Sequence, residues 1–114
     1  MERVFALHNW PNLPLGSVSI PTGPVMAATD LFTIKIRGKG GHGGIAPQDT
    51  VDPILIAGHV ITAVHSIVSR NLNPLDAGVI SLCAIAGGNL PASNVIPDSV
   101  VIMRVSLISG QRFR

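Results

Sequence analysis

Between Leu31 and Arg70 the spacing of apolar residues changes once, from two to between three and four, and the change falls across a glycine run. In Leu31 to Arg37, Phe32, Ile34 and Ile36 alternate with Thr33, Lys35 and Arg37, the pattern of a strand with one apolar face. After the glycines, Ala57, Val60, Ile61, Val64, Ile67 and Val68 recur at helical steps and predict a buried stripe. His59, Thr62, Ser66, Ser69 and Arg70 fall on the opposite side. Asp52 suits the N-cap and Pro53 the first helical position, where a missing N–H costs nothing. Asn71, Asn73 and Pro74 end the helix, with Arg70 near the negative end of its dipole.

Two further strands are predicted. Val79 to Ile85 is one, and Ser99 to Leu107 is the other, with Val101, Met103, Val105 and Leu107 on one face. Both are rich in β-branched residues. Gly87 to Pro91 reads as the turn between them. The order strand, helix, strand, strand implies a right-handed crossover followed by an antiparallel return. The expected fold class is therefore α+β: a three-stranded antiparallel sheet with one helix on one face. At 114 residues there is room for a single domain. With 46% hydrophobic residues and 4% aromatic, its core must be aliphatic, and a disordered main state is excluded.

Ahead of this unit lies an arm. Val4 to Leu7 is a short apolar run that reads as a buried strand, with His8 at its C-terminal end, before Asn9-Trp10-Pro11 stops it. Residues 11–24 are rich in proline and glycine, with Ser17 to Ile20 the one further strand candidate. A short apolar run after Glu2 and Arg3, ending at His8, does not make a signal peptide. The longest apolar stretch, Ile54 to Val68, is broken by polar residues and falls short of a bilayer span. A cytoplasmic protein with no membrane partner is expected.

Composition narrows the chemistry. Eight basic and six acidic side chains give a net charge of +2, and only Lys35, Arg37 and Lys39 cluster, without interleaved aromatics. That is too thin a patch for nucleic acid. One cysteine, Cys83, excludes an internal disulfide and a thiolate zinc cluster, and its place inside a strand predicts a small buried hydrophobe. Glu2 is the one glutamate, so paired-carboxylate catalysis is not available; Asp30, Asp49, Asp52, Asp76 and Asp98 read as caps or turn residues. His59 and His65, six apart, point to different sides of the helix and cannot chelate one metal. The nucleophile-elbow pattern is absent. The run Gly38-Lys39-Gly40-Gly41-His42-Gly43-Gly44 is no phosphate loop, since its lysine precedes the glycine pair and several residues separate it from the helix. It reads either as a flexible turn or as a loop that presents His42 to a ligand. Asn94-Val95-Ile96-Pro97-Asp98 is too apolar for an ordinary turn and leads into a strand.

Taken in order, several segments resemble one family. They are Phe5-Ala6-Leu7-His8 with Pro11, Gly23 to Ala28, Gly38 to Gly43, Val51-Asp52-Pro53, Ile67 to Asn71 with Pro74-Leu75-Asp76, and Asn94 to Asp98. Together they are similar to the middle of a metal-dependent amidohydrolase of the aminoacylase and zinc-carboxypeptidase superfamily, in its hippurate hydrolase and auxin-conjugate hydrolase branch. The likeness runs over about residues 4 to 103. It implies a remnant of the catalytic domain and hinge at 1–27, and a ferredoxin-like lid, or dimerisation, domain at 28–107 whose second helix and fourth strand are missing. Residues 108–114 form a tail unlike the family.

The resemblance also implies roles. His8 matches a metal ligand. His42 matches the lid histidine that polarises the scissile carbonyl in the partner's active site. Asn94 matches a substrate-binding asparagine. The complete enzyme would use a divalent metal such as zinc or manganese, with none bound by this chain alone, and would form a homodimer through the lid. Its reaction would be hydrolysis of the amide bond of an N-acyl amino acid. The family's other metal ligands and its general-base glutamate have no counterpart here, and Gln48 stands where many relatives carry histidine. From Arg104 onward the sequence departs from the family, which reads as a shifted frame or a truncated gene. The expectation is a fragment inactive by itself, and the alternatives are a non-catalytic dimerisation module or a product of gene decay.

Overall fold

The structure is a computed structural model that describes residues 2–23 and 25–109, with side chains described through Met103. Its main sheet has three strands, β1 (Ala28–Arg37), β3 (Ala77–Gly87) and β5 (Ser99–Ser109), in the order β1-β5-β3. β5 runs antiparallel to both neighbours, so β1 and β3 are parallel to each other and separated by the last strand. One helix, α1 (Pro53–Asn71), connects β1 to β3. The fold is thus α+β, an antiparallel sheet with one helix, as the sequence pattern predicts.

The start of α1 is local chemistry. Asp52 Oδ1 accepts from the N–H of Ile54 at 2.8 Å and of Leu55 at 3.3 Å, and Pro53 takes the first position. Pro53 and Ala57 are buried against the sheet, with Val60 and Ile61 packed beside Ile36, Val100 and Ile102. Val100 and Ile102, on the central strand, are 1% exposed. Each contributes about 1.5–3 kcal/mol by leaving water. Ile36 lies opposite Val100 and Ile34 opposite Ile102, so the apolar alternation of β1 feeds this one core.

Several expectations need correction. Ile67 is 42% exposed: it lies about 80° around the helix from the line of Ala57, where the sheet no longer reaches. Thr62, Ser66 and Ser69 bond back to carbonyls within the helix, which frees them to lie on the exposed side. At 19 residues α1 is long and apolar enough to cross a membrane by length and composition, contrary to the sequence estimate; one of its faces is packed on the sheet. Asp30 lies inside β1, opposite Ser106, rather than in a turn, because the strand begins three residues before its alternating part. The side chains of Val105 and Leu107 and residues 110–114 of the tail lie outside the described residues.

Cys83 is exposed, not buried. Leu82 pairs with Arg104 and Ala84 with Met103, so Cys83 is the extra residue of a β-bulge. Leu82 and Ile85 are three apart and would otherwise face opposite sides. The bulge restores parity, and Ile85 stands opposite Ile102 on the same face as Leu82, although it is itself 56% exposed.

The arm does not form the expected strands. Neither Val4 to Leu7 nor Ser17 to Ile20 is paired, and Phe5 and Leu7 are 90% and 94% exposed. A strand needs a partner for its N–H and C=O groups, and among the described residues the arm meets none. Its hydrogen bonds are local, such as Leu13 N–H to Trp10 O and Ser17 N–H to Pro14 O. The whole is elongated, 63 × 32 × 31 Å, with a radius of gyration of 20.8 Å against about 13 Å for a compact chain of this length.

Candidate functional site: the His42–Asn94 ribbon

The glycine run between β1 and α1 is not a flexible connector. Gly41–His42 forms β2, which pairs antiparallel with β4, Val95–Ile96. Lys39 and Val51 exchange backbone hydrogen bonds of 2.9 and 3.0 Å. Gly38 N–H donates to Asp98 O at 2.8 Å, and Gly43 N–H to Asn94 O at 2.9 Å. Asp98 adds its side chain, with Oδ1 accepting from Gly40 N–H at 2.8 Å. The glycines are needed because neighbours come close. A Cβ on Gly40 would stand 2.7 Å from Ile96 O and 3.0 Å from Asp98 Oδ1, and one on Gly38 would fall on the Val51 carbonyl oxygen.

This ribbon joins two residues 52 positions apart. His42 Nε2 lies 3.1 Å from Asn94 Nδ2. The other ring nitrogen, Nδ1, accepts from the N–H groups of Gly44 and Ile45, both at 3.1 Å. His42 and Asn94 are exposed, so the pair is open to a ligand while its geometry is fixed by backbone. An imidazole and a carboxamide side by side can donate hydrogen bonds to an oxygen that gains negative charge.

The remaining candidates are not brought to this place. His8 lies in the arm, its ring edge-on to Trp10 with centroids 5.8 Å apart and its Nδ1 2.5 Å from Asn9 O. It lines a shallow hollow built from arm residues 7–19. His59 and His65 are exposed on α1. Among the described residues no three His, Cys, Asp or Glu side chains come together to hold a metal ion, so the groups present do not form a metal site by themselves. Sequence reasoning missed Asp98 as the clamp on Gly40. The signal was there in Asn94 to Asp98, whose apolar pair Val95-Ile96 pairs with the glycine run.

Residues 31–103 match the peptidase dimerisation domain. This chain belongs to that family. The match takes in most of β1, the ribbon, α1, β3 and the core half of β5. Relatives carry the same region. N-acetylcysteine deacetylase of Bacillus subtilis is 45% identical over 98 residues, which is 86% of this chain and 25% of that protein. IAA-amino acid hydrolase ILR1-like 4 of Arabidopsis thaliana is 48% identical over 102 residues, or 90% of this chain and 22% of the relative. A crystal structure described as an aminohydrolase, from methicillin-resistant Staphylococcus aureus, superposes with a TM-score of 0.66 at 33% identity, covering 75% of this chain and 22% of its own. The chain therefore spans about a quarter of the length of the curated relatives it matches.

Proposed function

We propose that this peptidase dimerisation domain serves a metal-dependent amidohydrolase that cleaves the amide bond of N-acyl amino acids. The observation that carries the reading is the His42–Asn94 pair, held on a ribbon within the matched region. The names of the two relatives, a deacetylase of N-acetylcysteine and a hydrolase of IAA-amino acids, supply the substrate class. In this reading His42 donates a hydrogen bond to the carbonyl oxygen of the scissile amide, across a homodimer, and Asn94 binds the substrate beside it. His8 contributes one ligand to a divalent metal whose other ligands come from the rest of the complete enzyme. The metal, zinc or manganese, supplies activated water when bound.

The division into an arm of the catalytic domain (1–27) and a lid (28–107) fits the exposed apolar side chains of the arm, which have the character of a surface that packs elsewhere. Homodimer formation through the lid is supported by the open edges of β1 and β3 and by Ile54, Leu55 and Ile67 exposed on α1. The same features favour a second reading, a non-catalytic module that pairs with intact relatives. Co-purification with a full-length hydrolase, in the absence of any activity gain, would select it.

The test completes the chain with the flanking segments of the N-acetylcysteine deacetylase relative and follows hydrolysis of N-acetyl amino acids. His42→Ala is expected to lower turnover by about a hundredfold to a thousandfold, with metal content and folding intact. Mixing His42→Ala with His8→Ala subunits is expected to recover part of the activity, because one of the two sites then has both histidines. Full activity in His42→Ala, or no recovery in proven heterodimers, would overturn the assignment across the interface.

A further inference from the structure

We infer that His42 keeps Nδ1 bare and carries its ring hydrogen on Nε2, and that Asn94 turns its carboxamide oxygen, not its NH2, toward that hydrogen. The argument begins at Nδ1. Two backbone N–H groups, of Gly44 and Ile45, both point at it from 3.1 Å. A backbone amide can only donate, so Nδ1 must present its lone pair; a hydrogen on Nδ1 would face two others. In a neutral imidazole the remaining hydrogen is then on Nε2, which becomes a donor. Asn94 Nδ2, 3.1 Å from Nε2, would then set donor against donor. The oxygen and nitrogen of a carboxamide are nearly the same in shape, and their assignment follows the hydrogen-bond network. Exchanging them gives Nε2–H to Oδ1 and removes the conflict between the two donors.

The consequence concerns what the pair can bind. With Nδ1 accepting and Nε2 protonated, His42 has no free lone pair for a cation. It is a donor aimed at an oxygen acceptor. Asn94 supplies such an acceptor, an amide carbonyl, so its side chain stands where the carbonyl oxygen of an amide ligand would go. A ligand must turn Asn94 aside, which releases its NH2 to donate. The tautomer stands on this chain's geometry alone, whereas its use on a scissile carbonyl rests on the function proposed above.

The experiment is nitrogen NMR on the whole 15N-labelled chain, at a pH where the imidazoles are neutral. Long-range proton–nitrogen correlations assign the tautomer, with His59 and His65 as references on the same chain. Nε2 of His42 is expected to be protonated in preference to Nδ1 by roughly tenfold, the scale of one or two net hydrogen bonds. A protonated Nδ1 would overturn the inference. So would a nitrogen–nitrogen coupling through a hydrogen bond from Asn94 Nδ2 to Nε2, which only the opposite carboxamide orientation permits. Asn94→Ala is expected to keep the tautomer and to speed exchange of the Nε2 hydrogen with water. If it instead reverses the tautomer, Asn94 and not the two amides sets it, and the assignment fails. None of these readings uses turnover, so they stand or fall apart from the proposed reaction.

Discussion

The two histidines singled out by sequence, His8 and His42, sit in segments of similar make-up, both rich in glycine or proline and both flanked by short apolar runs. Their fates differ. His42 lies on a ribbon whose backbone is bonded to residues far along the chain: Gly38 to Asp98, Gly43 to Asn94, Lys39 to Val51. His8 lies on an arm whose hydrogen bonds among the described residues reach no further than three positions. What separates them is the separation in sequence of their partners. A loop poor in side chains becomes rigid when its N–H and C=O groups are claimed by another part of the fold, and an apolar segment without such partners stays exposed however strand-like it reads.

That contrast can be broken by substitution. The largest effect is expected at Gly38→Ala. The new methyl would meet the Val51 carbonyl and Pro53 Cδ, and would force apart the bridge that seats the start of α1. A loss of about 2–3 kcal/mol is expected by denaturant titration, at the upper end for a single substitution. In the arm, Phe5→Ala or Leu15→Ala removes a far larger side chain, yet each is expected to stay within about 0.5 kcal/mol, the range of surface changes. A drop in midpoint for the arm variants equal to that of Gly38→Ala would mean that the arm belongs to the cooperative unit.

Next in size are the two aspartates that hold backbone N–H groups. Asp52→Ala removes the cap on Ile54 and Leu55 and is expected to cost about 1 kcal/mol. Asp98→Ala frees Gly40 N–H and is expected to cost a similar amount, about 1 kcal/mol. The two should differ in where they act: amide exchange rises in the first turn of α1 for one and at Gly40 and Gly43 for the other. Equal loosening everywhere would deny that the ribbon is clamped locally. The smallest effect is expected for His8→Ala, whose ring meets Trp10 and Asn9 within the exposed arm, with no resolvable change in midpoint and an unshifted His42 signal.

Much of the sheet and helix was legible because its causes are local. The cap at Asp52, the proline after it and the stop near Asn71 fix α1 at Pro53–Asn71, and the alternation of Phe32, Ile34 and Ile36 fixes the apolar face of β1. The ribbon was not legible, because a run of glycines carries no alternation and its pairing partner lies beyond the whole of α1 and β3. For the candidate site, His42 and Asn94 could be named from the resemblance, but their contact could not, since it depends on β2 and β4 lying side by side. Cys83 misled for a related reason. A bulge leaves the composition of a strand unchanged while shifting which residues face inward.

The bulge in β3 separates two kinds of constraint on one position. Cys83 itself is exposed, and its sulfur approaches the Ser81 carbonyl, at 3.6 Å. Its chemistry is therefore nearly free, and serine or alanine would fill the position as well. Its presence is not free. Deleting one residue there would turn Leu82 and Ile85 to opposite faces of the sheet, and any shift taken up on the Leu82 side would pull that side chain off the core. Position 83 acts as a spacer, more tolerant of substitution than of a gap. A comparison of chains that share this sheet should find it variable in identity and constant in length.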